Sequence, residues 1–303
     1  MQVVSLGQQY TLKAVVCLGF FDCMHNGHVT LLERAKAMAA QCGAQVALFT
    51  FDNNHFRTLG KSTKLLYTFD ERLSIYQSLG VQTVFRCTFD EQFRSLSGER
   101  FLKSLLAYDI CGVVCGADYT CGSDRMGAEQ VKAFLKDVCP VEIVPLLQQE
   151  GEKVCSSLVR KLLLECRIRQ ANALLSQPFF FTGKVRHGRN VGEKMGFPTV
   201  NIQLDADKIC PQGVYGGKVF CQGKSYDAIV NVGAKPTFDC GDVTVEAHIL
   251  HFCGDLYGED VKISLLQYLR PIQKFNDARS LAQQLERDVK AVEDDKIRSQ
   301  RQQ

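Results

Sequence analysis

The sequence predicts an α/β chain in two parts: a doubly wound parallel sheet, then an antiparallel β-barrel with a terminal helix. Three observations predict this. Short, nearly continuous apolar runs alternate with amphipathic stretches over residues 14–147, the pattern of strands buried on both faces between helices. From Phe179 onward, β-rich runs follow one another across glycine turns with no helix between them. The last stretch returns to helical spacing, with Leu281, Leu285, Val289 and Val292 on one face. At 303 residues there is chain enough for two domains, each with its own core.

In the first part, strands are expected at Ala14–Phe20, Gln45–Phe51, Val81–Arg86, Asp109–Cys115 and Val141–Leu147. The helix expected over Asn26–Gln41 carries Leu32, Ala35 and Ala39 on one face and stops at Gly43. Thr68 and Glu71 have capping-box spacing ahead of Leu73 and Tyr76, and Gly80 ends that helix. Five strands alternating with four helices require right-handed crossovers and hence a parallel sheet. Two short helices, Ser156–Glu165 and Ile168–Ser176, precede the break at Gln177-Pro178. The domain boundary is therefore placed near residue 178, giving 1–178 and 179–303. The second part has strands at Phe180–Arg186, Val214–Cys221, Ala228–Val232, Val243–Phe252 and Val261–Gln267, and its helix starts at about Asp277.

Composition excludes several classes. A 46% hydrophobic and 23% charged chain is ordinary globular protein, not a disordered segment. The balance of 36 basic against 33 acidic residues is too even for charge-driven binding of nucleic acid or anionic membrane. No apolar run approaches the ~18 residues that span a bilayer. Met1-Gln2-Val3-Val4 lacks the basic patch and apolar stretch of an export signal, so a cytoplasmic protein acting on small molecules is expected. Fourteen cysteines are scattered without a CxxC pair, which argues against zinc and for reduced thiols; Cys17, Cys111 and Cys115 sit in apolar strands as small hydrophobes.

The chemistry starts where the first strand feeds the first helix. Leu18-Gly19-Phe20-Phe21-Asp22-Cys23-Met24-His25-Asn26-Gly27-His28 crosses that corner. Orphan N–H groups and the helix dipole make such a corner an anion site. His25 and His28, three apart, add donors on one face, and Gly27 permits close approach of the backbone. The spacing also suits a metal pair, but no third ligand is apparent; P-loop and dinucleotide-binding glycine patterns are absent.

His25-Asn26-Gly27-His28 resembles the HxGH signature of nucleotidyltransferases, in which the histidines stabilise charge on the transferring phosphate. Val154-Cys155-Ser156-Ser157-Leu158-Val159-Arg160 resembles the ISSTxIR motif that closes such a domain. That resemblance implies Ser156, Ser157 and Arg160 as a clamp for the β- and γ-phosphates, chemistry suited to hydroxyls and a guanidinium at a helix start. In the second part, Gly183-Lys184-Val185-Arg186-His187-Gly188 and Gly192-Glu193-Lys194-Met195-Gly196-Phe197-Pro198-Thr199-Val200-Asn201 resemble the riboflavin kinase signature. Ile229-Val230-Asn231-Val232-Gly233-Ala234-Lys235-Pro236-Thr237-Phe238, Val245-Glu246-Ala247-His248 and Gly254-Asp255-Leu256-Tyr257-Gly258 follow in the order of that family.

Together the two halves resemble the bifunctional riboflavin kinase/FAD synthetases. The resemblance implies riboflavin phosphorylation to FMN in the barrel and adenylylation of FMN to FAD, with pyrophosphate release, in the first domain. It implies ATP, riboflavin and FMN as substrates and Mg²⁺ as cofactor, with Thr199 and Asn201 as metal ligands. Glu246 becomes the general base, Gly192 and Lys194 phosphate contacts, and Asp118, Tyr119 and Asn54 flavin contacts. The pattern departs in four places: Cys23 replaces a glycine, Thr50-Phe51-Asp52-Asn53-Asn54-His55 loses two prolines, Cys121 replaces an aromatic, and Glu193 replaces an arginine. Losing a stacking ring removes about 0.5–1.5 kcal/mol beyond burial. Three of the departures lie in the first domain, so an altered flavin side of the transferase is expected. An enzyme with only the kinase active is the alternative; a non-catalytic flavin-binding protein is disfavoured, because His25, His28, Arg160, Thr199, Asn201 and Glu246 are all present.

Overall fold

The computed structural model describes residues 1–301 except 150, 187–198, 235–242, 253 and 276. It divides into two compact units, Met1–Ser156 and Ser157–Gln303. The first holds a six-stranded sheet: β1 (Gln2–Ser5), β2 (Lys13–Leu18), β3 (Gln45–Phe51), β4 (Thr83–Cys87), β5 (Asp109–Gly116) and β6 (Val141–Val144). Their order is β1-β4-β3-β2-β5-β6, and every pairing is parallel. Helices α1 (Asn26–Cys42), α2 (Phe69–Ser78), α3 (Gly98–Leu105) and α4 (Ala128–Leu135) make the crossovers. Ala14 to Leu18 are all buried, as a central strand covered on both faces must be.

The chain leaves β2 first toward β3 and β4, then returns to β5 and β6 on the other side. The switch point therefore lies between β2 and β5, and ligands of open α/β sheets bind beyond the carboxyl ends of such strands. The segments that follow these two strands carry His25 and His28, at the start of α1, and Asp118 and Tyr119.

Two differences from the expected pattern have local causes. Gln2–Ser5 adds a sixth strand beside β4, too short at four residues to stand out in the sequence. The last strand stops at Val144 rather than Leu147, because Pro145 has no N–H to offer the ladder. Leu146 and Leu147 then stay exposed. The capping box forms as expected, with Thr68 Oγ1 accepting from Glu71 N at 3.3 Å and Glu71 Oε2 accepting from Thr68 N at 2.9 Å.

Helix α5 (Ser156–Leu164) starts at the last residue of the first unit, and α6 (Ile168–Ala173) follows it in the second. Its barrel strands are β7 (Phe180–Lys184), β8 (Thr199–Gln203), β9 (Gly213–Cys221), β10 (Lys224–Ala234), β11 (Val243–Ile249) and β12 (Asp260–Arg270), in the order β7-β12-β9-β10-β11-β8. All pairings are antiparallel, and Arg186 N donating to Asn201 O at 2.8 Å nearly closes the ring between its edges. The bend in β9 needs Gly217, where an added Cβ would lie 2.1 Å from Ser264 O. Helix α7 (Ala278–Arg301) packs Val292 against Val214, Ile229 and Leu250. Asp288, 3% exposed, anchors it by accepting from Arg270 Nη2 at 2.8 Å and Nε at 3.1 Å. None of the twelve described cysteines forms a disulfide.

Candidate active sites

In the first unit, the turn after β2 is built before the helix begins. Phe21 adopts a φ of 50°, and its carbonyl accepts from the buried Tyr76 hydroxyl at 2.8 Å. Asp22 Oδ1 accepts from Leu66 N at 2.9 Å. These bonds fix a turn that delivers His25 to the N-cap of α1, where its Nδ1 accepts from His28 N at 3.2 Å. His28 Nδ1 lies 2.5 Å from Cys23 O, so it must be the protonated nitrogen there. His25 consequently carries its proton on Nε2, and His28 keeps a lone pair on Nε2.

The rings stack with centroids 3.6 Å apart, and Phe21 meets His28 edge-on at 4.8 Å. Gly27 makes this possible: a Cβ there would stand 3.2 Å from two atoms of the His25 ring. Burial lowers His25 to about 2, helped by the neighbouring His28 and by Lys153. Burial likewise lowers His28 to about 4, against the opposing pull of its bond to Cys23 and of Asp118. Both imidazoles are thus neutral near pH 7, poised to gain charge when an anion arrives.

Cys23, Asp118 and Lys153 lie close to this pair. Cys23, fully buried, places Sγ 3.6 Å from Ser156 Oγ. Asp118, in the loop after β5, pairs with Lys153 at 2.5 Å. Lys153 was not singled out in the sequence; its signal was a lone cation just ahead of Val154-Cys155-Ser156. Tyr119 packs with Cys121 against the hydrophobic core. Asn54 caps the turn His55–Thr58, its Oδ1 accepting from Phe56 N at 3.2 Å and its Nδ2 donating to Thr63 O at 3.1 Å. The buried Arg72 guanidinium, also unanticipated, donates to Thr50 Oγ1 at 2.9 Å and Phe51 O at 2.8 Å and lies 4.9 Å from the Phe20 ring centroid. Ser157 and Arg160, next on α5, fall in the second unit.

The second candidate site lies across three barrel strands. Asn201 on β8 pairs in register with Glu246 on β11, and Glu246 pairs with Asn231 on β10. Thr199 opens β8 opposite His248. Asn201 is 5% exposed, and its Oδ1 has no partner. An orphaned hard oxygen beside a carboxylate fits a hard divalent cation such as Mg²⁺, whose charge would act on nucleotide phosphates. Among the described residues no three His, Cys, Asp or Glu side chains gather as a metal site, so a cation here would rely on amide and hydroxyl oxygens. Gly192 and Lys194 lie outside the described residues.

A nucleotidyltransferase-type parallel sheet followed by an antiparallel kinase barrel defines a two-domain transferase. Residues 7–158 match the FAD synthetase family and residues 175–295 the riboflavin kinase family. The chain belongs to the bifunctional riboflavin kinase/FMN adenylyltransferases. It is 33% identical to a protein of that name from Listeria monocytogenes, over 91% of this chain and 90% of the relative. A Bacillus subtilis protein of the same name is 31% identical over 91% of this chain and 90% of its own length. A solved Streptococcus pneumoniae structure titled a macrolide-efflux protein superposes with a TM-score of 0.88 at 29% identity, covering 97% of this chain and 99% of that one. Among the described residues of the present chain, no helix is long and apolar enough to cross a membrane.

Proposed function

We propose that the barrel transfers the γ-phosphoryl group of ATP to riboflavin, and that the first domain transfers the adenylyl group of a second ATP to the resulting FMN. The observation that carries the reading is one chain holding both a stacked imidazole pair at a parallel-sheet switch point and an Asn201–Glu246 register pair in a barrel. In the barrel, Glu246 takes the proton from the 5′-hydroxyl of riboflavin as its oxygen bonds to the γ-phosphorus and the bond to the bridging β-oxygen breaks. Mg²⁺, when bound with Thr199 and Asn201, neutralises phosphate charge. Gly192 and Lys194 are proposed phosphate contacts.

In the first domain, an FMN phosphate oxygen attacks the α-phosphorus of ATP and pyrophosphate leaves. His25 Nε2–H donates to the charge that develops, and the negative triphosphate raises the basicity of His28 until its Nε2 also carries a proton. Gly27 gives these rings their room, and Lys153 adds positive charge. Ser156, Ser157 and Arg160 are proposed to bind the departing phosphates, and Asp118, Tyr119 and Asn54 to border the flavin. We propose the functional boundary near residue 178, beyond α5.

Incubation with riboflavin, ATP and MgCl₂, followed by chromatography, should yield both FMN and FAD. His28→Ala should abolish FAD formation and leave FMN formation within about twofold, as expected for sites that act independently. Glu246→Gln should abolish FMN formation and still convert supplied FMN to FAD. Loss of both activities from either folded variant contradicts the assignment; FMN without FAD from the parent protein supports the kinase-only alternative.

A further inference from the structure

The register that places Asn201 beside Glu246 places Asn231 on its other side. Directly opposed residues on adjacent strands share a face, with Cβ atoms about 4.5–5.5 Å apart. The row Asn201–Glu246–Asn231 is therefore one polar stripe, with the proposed base in the middle. Its two amides share a second property: Asn201 Oδ1 and Asn231 Oδ1 are both buried and both lack a hydrogen-bond partner. Only five side-chain atoms among the described residues are in that condition, and two of them flank the same carboxylate. A buried acceptor left unpaired costs stability, so an amide kept only for the fold should be bonded. Asn201 Nδ2 turns back to Thr199 O at 3.4 Å, leaving its oxygen as the free end.

We propose that Asn231 is a further positioning residue of the kinase site, its amide oxygen completing the oxygen set that receives the magnesium–nucleotide around Glu246. This rests on the barrel being the kinase. Neutral amide oxygens with the Thr199 hydroxyl form a hard donor set that would suit Mg²⁺ while leaving its charge to act on the phosphates and Glu246 to act as the base.

The test compares Asn231→Leu, close in size but without the oxygen, with Asn231→Asp, which keeps one. Both are made in the full chain carrying His28→Ala, so that the barrel dominates the signal. Calorimetric titration of ADP at increasing MgCl₂ gives the Mg²⁺ concentration for half-maximal binding, read without turnover. Asn231→Leu should raise that concentration about tenfold or more, the usual cost of disturbing a metal's supporting shell, while Asn231→Asp stays within about threefold. The same single substitutions without His28→Ala should leave FAD formation from FMN unchanged, which reports folding of the rest of the chain. Unaltered Mg²⁺ dependence in Asn231→Leu overturns the proposal, as does equal impairment of both variants with Mg²⁺ dependence intact, the mark of simple packing. If Asn231→Leu does not fold, Asn231→Ser, smaller and still polar, must show an intermediate shift; no shift sinks the idea. Should the parent chain fail to phosphorylate riboflavin, the kinase reading itself fails, an outcome separate from any result at Asn231.

Discussion

Gly27 and His25 compete for the same volume. An alanine at 27 would gain ~0.5–1 kcal/mol of helix propensity, yet its Cβ would press on an imidazole 3.2 Å away. Gly27→Ala should therefore lose much of its FAD formation, about tenfold or more for a misplaced donor, with no fall in unfolding temperature. Steady-state FMN adenylylation beside a thermal melt checks both halves. The proton states of the rings give a second test. His28 sits near 4 in the folded protein against an ordinary value of 6.5, because burial disfavours its charged form. Above pH 6.5 neither folded nor unfolded state binds that proton, so stability is flat. Between 6.5 and about 4 the unfolded state binds it and the folded state does not, so stability falls with pH. His28→Asn should flatten part of that decline in melts between pH 7.5 and 5. Binding of a triphosphate analogue should take up a proton that His28→Asn does not, seen as a buffer-dependent enthalpy in calorimetry.

At the scale of elements, α7 depends on one buried ion pair as much as on its apolar face. The Arg270 and Asp288 side chains are 16% and 4% exposed, and Gln284 Nε2 donates to the same carboxylate at 2.9 Å. Removing one partner strands the other charge, at a cost of ~3–5 kcal/mol. Asp288→Ala should lower the denaturation midpoint accordingly, whereas replacing both by methionine and leucine should recover most of the loss. The apolar face of this helix was legible in the sequence from Leu281, Leu285, Val289 and Val292, but the ion pair was not, because its partners lie on different elements. The same contrast holds for the sheets. Gln45–Phe51 could be read residue for residue from its apolar run, and the capping box from Thr68 and Glu71. The short edge strand Gln2–Ser5 and the truncation at Pro145 were decided by pairing and by a missing donor, which a hydrophobic pattern does not register. For the sites, HNGH announced the corner but not the ring stacking or the cation at Lys153. Asn231 lay inside a quoted motif, and only the strand register revealed its place beside Glu246.

For the whole molecule, FMN is the product of one domain and the substrate of the other, so their relative affinities set what accumulates. The transferase side that would receive the flavin offers few free groups. Both ends of the Asn54 amide are already bonded, Tyr119 packs against the core, and the ring expected beyond it is Cys121. A missing stacking face costs about 0.5–1.5 kcal/mol, or roughly two- to tenfold in affinity. The proposed phosphate side keeps His25, His28 and Ser156. The first reaction should therefore outrun the second when FMN is dilute. In a time course from riboflavin and excess MgATP, FMN should rise first and FAD follow after a lag that shortens as added FMN is increased. Cys121→Phe, restoring a ring to the loop, should shorten the lag at low FMN without changing the rate at saturation. FAD appearing from the outset with no build-up of FMN would mean that the flavin is held by groups other than Asn54, Asp118 and Tyr119.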